Sequence, residues 1–107
     1  MLLIKFEGNS ADEIDVYGFH VMSERQWEFK KNEIKHTPFP QCLNFGTNQY
    51  EVYETPEDYM SHLEVTKITE AEAEIINRLF GSYYGEFAII EGNAPKEFYK
   101  EYGHCPN

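Results

Sequence analysis

Apolar residues alternate with other positions at the beginning of the chain. Leu2, Ile4 and Phe6 share one parity, which is typical of a β-strand with one buried face. We therefore predict a strand over residues 2–6. The small and polar residues that follow predict a turn at residues 8–12.

A second alternating segment changes phase part of the way along. Ile14 and Val16 share one parity, whereas Phe19 and Val21 share the other. The change falls at Gly18 or just before it. One extra residue in a strand produces such a shift, so we predict a β-bulge at this point.

Helix start signals come next. Ser23 opens a capping box, which predicts a helix beginning there. Trp27 and Ile34 lie seven residues apart on one helical face, while Phe29 lies off that face. A Thr-Pro pair at residues 37–38 is expected to end the helix.

The middle of the chain predicts a hairpin and a short helix. Apolar residues flank a turn at residues 46–48, which is typical of two short paired strands. Thr55 is a typical N-cap residue, Pro56 suits the first helical position and Asp58 the third. The apolar residues expected to pack from this helix are Tyr59, Met60 and Leu63.

A third helix is predicted after an extended stretch at residues 65–68. Thr69 opens a second capping box, and Gly81 stands where a helix-ending glycine belongs. An apolar stripe runs along this helix, and we expect all of it to be buried in the core. Its members are Ile75, Ile76, Leu79 and Phe80.

The last third of the chain completes the predicted fold. Residues 87–90 are expected to form a central, buried strand, and Pro95 introduces a terminal helix that packs Phe98 and Tyr102. Residues 103–107 are predicted to be a flexible tail. Residues 1–107 are therefore expected to form a single small α+β domain. We expect a mostly antiparallel sheet of about four to five strands, covered on one face by about two to four helices.

Composition is consistent with one folded domain. The chain has 107 residues, of which 41% are hydrophobic and 16% aromatic, unlike disordered chains. The apolar N-terminal run is too short for a signal-peptide core or a membrane span. Cys42 and Cys105 are the two cysteines, so no disulfide framework is expected. We predict a cytoplasmic protein with free thiols.

Candidate chemistry is sparse. Cys42, His62, His104 and Cys105 lack the paired spacing typical of zinc ligands. Gly-containing segments match neither a nucleophile elbow nor a phosphate-binding loop. We therefore predict no metal site, no cofactor and no enzymatic activity.

Charge is the most informative feature. Nine Lys and Arg residues stand against 19 Asp and Glu, giving a net charge of −10, which disfavours direct binding to nucleic acid. Residues 1–49 carry 7 acids and 5 bases, whereas residues 50–107 carry 12 acids and 4 bases. Residues 51–74 hold eight acids and the single base Lys67. Concentrated negative charge attracts basic protein surfaces.

These features predict a binding surface for a basic protein, such as a nuclease or another nucleic-acid-binding protein, and no membrane partner. Exposed tyrosines add frequent hot-spot side chains to the acids. The predicted contact residues are Glu51, Tyr53, Glu54, Glu57, Asp58, Glu64, Tyr83 and Tyr84.

In charge and size the chain is similar to small acidic inhibitors that block basic surfaces, such as phage anti-CRISPR and DNA-mimic anti-restriction proteins. An immunity protein that neutralises a nuclease toxin has the same properties. The other alternative is a structural or interaction domain whose acidity keeps it soluble. A homodimer is also open, because a strand at residues 2–6 can pair with a second copy if it lies at the sheet edge.

Overall fold

The computed structural model describes residues 1–10, 13–44, 48–81, 83–85, 87–88 and 93–106. The strands are β1 (Leu2–Ser10), β2 (Glu13–Met22), β3 (Gln41–Asn44), β4 (Gln49–Val52), β5 (Leu63–Lys67), β6 (Tyr83–Gly85) and β7 (Phe87–Ala88). The helices are α1 (Glu24–Lys35), α2 (Pro56–Ser61), α3 (Glu70–Phe80) and α4 (Lys96–Tyr102).

The described strands form two sheets. One has four strands in the order β5-β1-β2-β6, and the other has three in the order β4-β3-β7. Every described pairing is antiparallel. The predicted α+β class and antiparallel arrangement are confirmed. The prediction of one sheet is corrected, because β3, β4 and β7 pair with one another among the described strands and form a separate sheet.

The hairpin of β1 and β2 contains the predicted bulge. Phe6 is paired with Gly18, but the next residue, Glu7, is paired with Val16. Tyr17 is therefore the extra residue on β2, where the hydrophobic phase changes in the sequence. The bulge prediction is confirmed.

The turn predicted at residues 8–12 was too long. The β1–β2 pairing continues to Ser10 and Glu13, so only residues 11–12 connect the strands, and these lie outside the described residues.

The edge position expected for residues 2–6 was also wrong. β1 lies between β5 and β2, so its backbone groups are already paired on both sides. A dimer through this strand is therefore ruled out.

Local capping determines where three helices begin, as the sequence predicted. Ser23 and Thr69 each form a complete capping box at the start of α1 and α3. The Thr55 hydroxyl accepts a hydrogen bond from the Asp58 backbone N–H, with Pro56 at the first position of α2. Gly81 ends α3 with a φ of 86°, a conformation that favours glycine.

The larger core cluster covers one face of the four-stranded sheet. Leu2, Ile4 and Phe6 of β1 contribute its strand face, as the alternation predicted. The remaining buried members come from the end of β2, from α1, from the three-stranded sheet and from α2: Met22, Trp27, Ile34, Cys42 and Tyr59. The second sheet and two helices are thus joined to β1 by one apolar cluster.

A second, smaller cluster covers the opposite face of the same sheet. Val21, Ile68 and Ala73 are buried there, and Leu3 and Ile76 pack against them. α3 therefore lies on this face. The prediction that helices cover one face only was wrong.

The apolar stripe of α3 is mostly exposed, which corrects the expectation of full burial. Ile75 is 49% exposed, Leu79 60% and Phe80 58%, while Ile76 is half-buried. Ala73 is the buried residue of the helix. The described sheet residues in the cluster that includes α3 are Leu3, Phe19 and Val21.

α4 packs on the outer side of α1. Phe98 is buried, and its ring lies 5.7 Å from that of Phe29, which explains why Phe29 lies off the inner face of α1. The Tyr99 hydroxyl donates a 2.7 Å hydrogen bond to the buried Glu33 carboxylate, which also pairs with Lys30 at 3.0 Å. Tyr102 packs as expected against Phe98, with the two ring centroids 4.8 Å apart, while 47% of its area stays exposed.

The predicted strand at residues 87–90 is shorter in the described residues. β7 covers Phe87 and Ala88, and residues 89–90 lie outside the description. Its described partner is β3 alone, which places it at an end of the three-stranded sheet rather than at its centre. The flexible tail predicted for residues 103–107 stays a prediction.

Tyr99→Phe is expected to lower the free energy of unfolding by about 1.5 kcal/mol, because the buried Glu33 carboxylate loses a hydrogen-bond donor. Tyr102→Phe on the same helix is the matched control, with an expected change within about 0.5 kcal/mol. Urea unfolding of both variants measures the difference. Equal losses would contradict the role of the Tyr99 hydroxyl.

The stability difference between wild type and Tyr99→Phe should depend on pH. Burial, followed by the hydrogen bond to Glu33, raises the pKa of Tyr99. The folded protein therefore holds the phenol proton more tightly than the unfolded chain does. The stability that the folded protein gains from the Tyr99 proton is complete below the ordinary tyrosine pKa of about 10. It is lost as the pH rises above that value. If the stability difference between wild type and Tyr99→Phe stayed constant as the pH rises above about 10, the role of the Tyr99 proton would be refuted.

Candidate partner-binding surface

The predicted acidic contact residues lie on one continuous segment, which we call the acidic segment (residues 51–64). It runs from the end of β4 through α2 to the beginning of β5. Its start is held by a 2.9 Å hydrogen bond from the Tyr53 backbone N–H to the Pro40 carbonyl oxygen. Its helix is held by the Thr55 cap. Backbone and capping hydrogen bonds thus position the segment locally.

Contacts between aromatic rings connect the acidic segment to the core. The ring of Phe6 on β1 lies 6.2 Å from Tyr53, 5.7 Å from Tyr59 and 5.6 Å from His62. Tyr53 also contacts Tyr59 at 5.3 Å and His62 at 5.2 Å. Because these rings come from both ends and the middle of the segment, its backbone is fixed along its whole length.

The acids of the segment face solvent. All five are exposed: Glu51, Glu54, Glu57, Asp58 and Glu64. Glu64 forms a 3.2 Å salt bridge with Lys5 on the neighbouring strand, so part of its charge is neutralised within the fold. The other four take part in no salt bridge within the described part of the chain. Their negative charge is available to a partner.

A shallow groove of about 380 Å³ lies beside α2. It is lined by Pro56, Glu57, Met60 and Ser61, and by Lys35 at the end of α1. Apolar side chains therefore adjoin a carboxylate. The Lys35 ammonium group lines the same groove, so the lining carries both charges and does not select a basic side chain.

The three predicted tyrosines are not equivalent. Tyr53 is half-buried in the aromatic cluster, so it supports the acidic segment as well as lying beside it. Tyr83 and Tyr84 belong to β6, where their backbones are paired with His20 and Phe19. Their side chains lie outside the described residues. Two strands separate β6 from β5, so the sheet does not bring this pair next to the acidic segment.

The residues considered for a metal site occupy different places. Cys42 is buried in the core, His62 stacks on Phe6, and His104 stacks on Tyr99 beyond the end of α4. Neither cysteine is in a disulfide. Among the residues described, no group of three or more His, Cys, Asp or Glu side chains is arranged to hold a metal ion.

Sequence reasoning missed a second exposed surface. Ile75, Leu79 and Phe80 of α3 expose about half or more of their area. Their helical spacing is the usual signal of burial, so the sequence pointed to the core instead. A groove of about 400 Å³ runs along the same helix and is lined by Met1, Val21, Glu70, Ala73, Glu74 and Asn77.

Comparisons of the chain with protein-family models, curated proteins and solved structures find no match. Across the described residues, no helix combines the length and apolar character needed to cross a membrane.

Thr55→Ala is expected to lower the free energy of unfolding by about 1 kcal/mol, because the first turn of α2 loses its cap. The neighbouring change Glu54→Gln should stay within about 0.5 kcal/mol, because Glu54 is exposed and outside the helix. Thermal unfolding of the two variants tests this. A large loss in Glu54→Gln would show that this acid serves stability rather than binding.

Proposed function

We propose that the protein is a small acidic inhibitor that binds a basic surface of another protein through the acidic segment. The observation that carries this proposal is the combination of a fixed backbone with four exposed acids that have no salt bridge among the described residues. A backbone that is already positioned needs no ordering on binding, which lowers the entropic cost of association.

The proposed target is the nucleic-acid-binding or catalytic surface of a nuclease or a similar protein. Such surfaces are lined with Lys and Arg that bind phosphate, and closely spaced carboxylates compete for the same side chains. An anti-CRISPR or DNA-mimic anti-defence role fits this mechanism.

Immunity against a nuclease toxin uses the same surface chemistry, so the captured partner distinguishes the two roles. A second candidate function, an interaction domain without inhibitory activity, is favoured by the exposed apolar residues of α3. The acidic segment would then contribute solubility only.

The double reversal Glu54→Lys with Glu57→Lys is expected to slow association with the partner and to leave the fold intact. The matched control is Glu97→Lys with Glu101→Lys on α4, since both acids are exposed there. Each double variant changes the net charge by +4, from −10 to −6. A difference between them therefore reports the position of the charge rather than its total.

The partner is first captured from cells with tagged wild-type protein, and its association rates with the variants are then measured at low and high salt. We expect the reversal at residues 54 and 57 to slow association at least tenfold at low salt, and the difference to shrink in about 1 M salt. Equal rates for both double variants would refute binding through the acidic segment. A captured partner that keeps both its nucleic-acid binding and its catalytic activity would refute inhibition.

A further inference from the structure

α3 is apolar over a wider arc than the sheet covers. At about 100° per residue, Ala73, Ile76 and Phe80 lie towards one side of the helix. Ala73 is buried, Ile76 packs against the second cluster and the Phe80 ring contacts Phe19 at 6.3 Å. Ile75 and Leu79 continue the apolar arc away from the sheet, with 49% and 60% of their areas exposed.

The exposed part of the arc forms a regular row. Ala71, Ile75 and Leu79 are four residues apart and all exposed, so they make a ridge along the outer surface of α3, which we call the outer ridge. Ala71 is small and Leu79 is large. If a second copy of the ridge runs in the opposite direction, the small Ala71 side chain lies opposite the large Leu79 side chain.

One acid and one base flank the outer ridge on the same side. Glu74 and Arg78 are four residues apart and exposed, and neither takes part in a salt bridge within the described ranges. Arg78 is the single base between Lys67 and Lys96 in a strongly acidic part of the chain. Its presence here would repel a uniformly basic partner.

We propose that the outer ridge binds a second copy of the chain, with the two α3 helices antiparallel about a two-fold axis near Ile75. In that arrangement the same flank of each helix faces its counterpart. Glu74 of each copy then lies near Arg78 of the other, giving two symmetric ion pairs. Ala71 of each copy lies opposite Leu79 of the other.

The dimer is a weak one. The exposed parts of Ile75 and Leu79 amount to an apolar patch on the order of 200 Å², below the roughly 800 Å² per partner of a standard interface. The net charge of −10 on each copy adds repulsion. We therefore expect dissociation at micromolar or higher concentrations, and a concentration series of about 5 to 500 µM tests for the transition.

Sedimentation equilibrium of the full chain at physiological salt tests the proposal. Wild type is expected to shift from monomer to dimer across the series. E74R and R78E each place like charges opposite one another, so each alone should weaken dimerisation at least tenfold. Glu97→Arg on α4 is the control for total charge and should not weaken dimerisation, because Glu97 is exposed on a helix outside the proposed interface.

Restoring complementarity provides the decisive measurement. The double variant E74R/R78E should dimerise again, and an equimolar mixture of the two single variants should form a heterodimer. If a single variant lost dimerisation only because it misfolds, mixing the two single variants would not restore dimerisation. Circular dichroism of each variant checks the fold. A wild type that stays monomeric throughout, or a mixture that stays monomeric, would overturn the proposal.

Discussion

The position of β1 constrains the rest of the molecule. Its backbone is bonded to β2 on one side and β5 on the other, and its alternating side chains supply apolar groups to both faces of the sheet. Each face therefore needs its own cover. α1, α2 and the second sheet meet this need on the face of Ile4 and Phe6, and α3 meets it on the face of Leu3. The acidic segment lies on the outer surface of the elements that pack on the face of Ile4 and Phe6. The outer ridge lies on the outer surface of α3.

Features that depend on neighbouring residues could be predicted from the sequence. In the capping boxes at Ser23 and Thr69, each side chain bonds a backbone group three residues away. All of the interacting residues therefore lie in a short stretch of sequence. The bulge at Tyr17 was visible for a similar reason, since an extra residue must shift the parity of every later position in the strand. The exposure of the acids next to α2 followed from the apolar side of that helix.

Features that depend on distant surfaces could not be predicted. The periodicity of α3 shows that one side is apolar, but the area available for it depends on how much of the sheet face lies beneath the helix. Leu79 and Phe80 therefore stay largely exposed although their pattern matches that of a core helix. The division into two sheets and the ring contacts of Tyr53 likewise depend on long-range pairing. No local signal distinguishes a supporting tyrosine from an exposed one.

The hydrogen bond between Tyr99 and Glu33 joins residues 66 positions apart, and this separation affects how the chain matures. α1 carries its own start signal and can form early during synthesis, but its outer side, with Phe29 and Glu33, is covered only when α4 docks. α4 follows every other described element. A nascent chain on the ribosome therefore presents this side of α1 to chaperones and proteases until α4 has left the exit tunnel and docked.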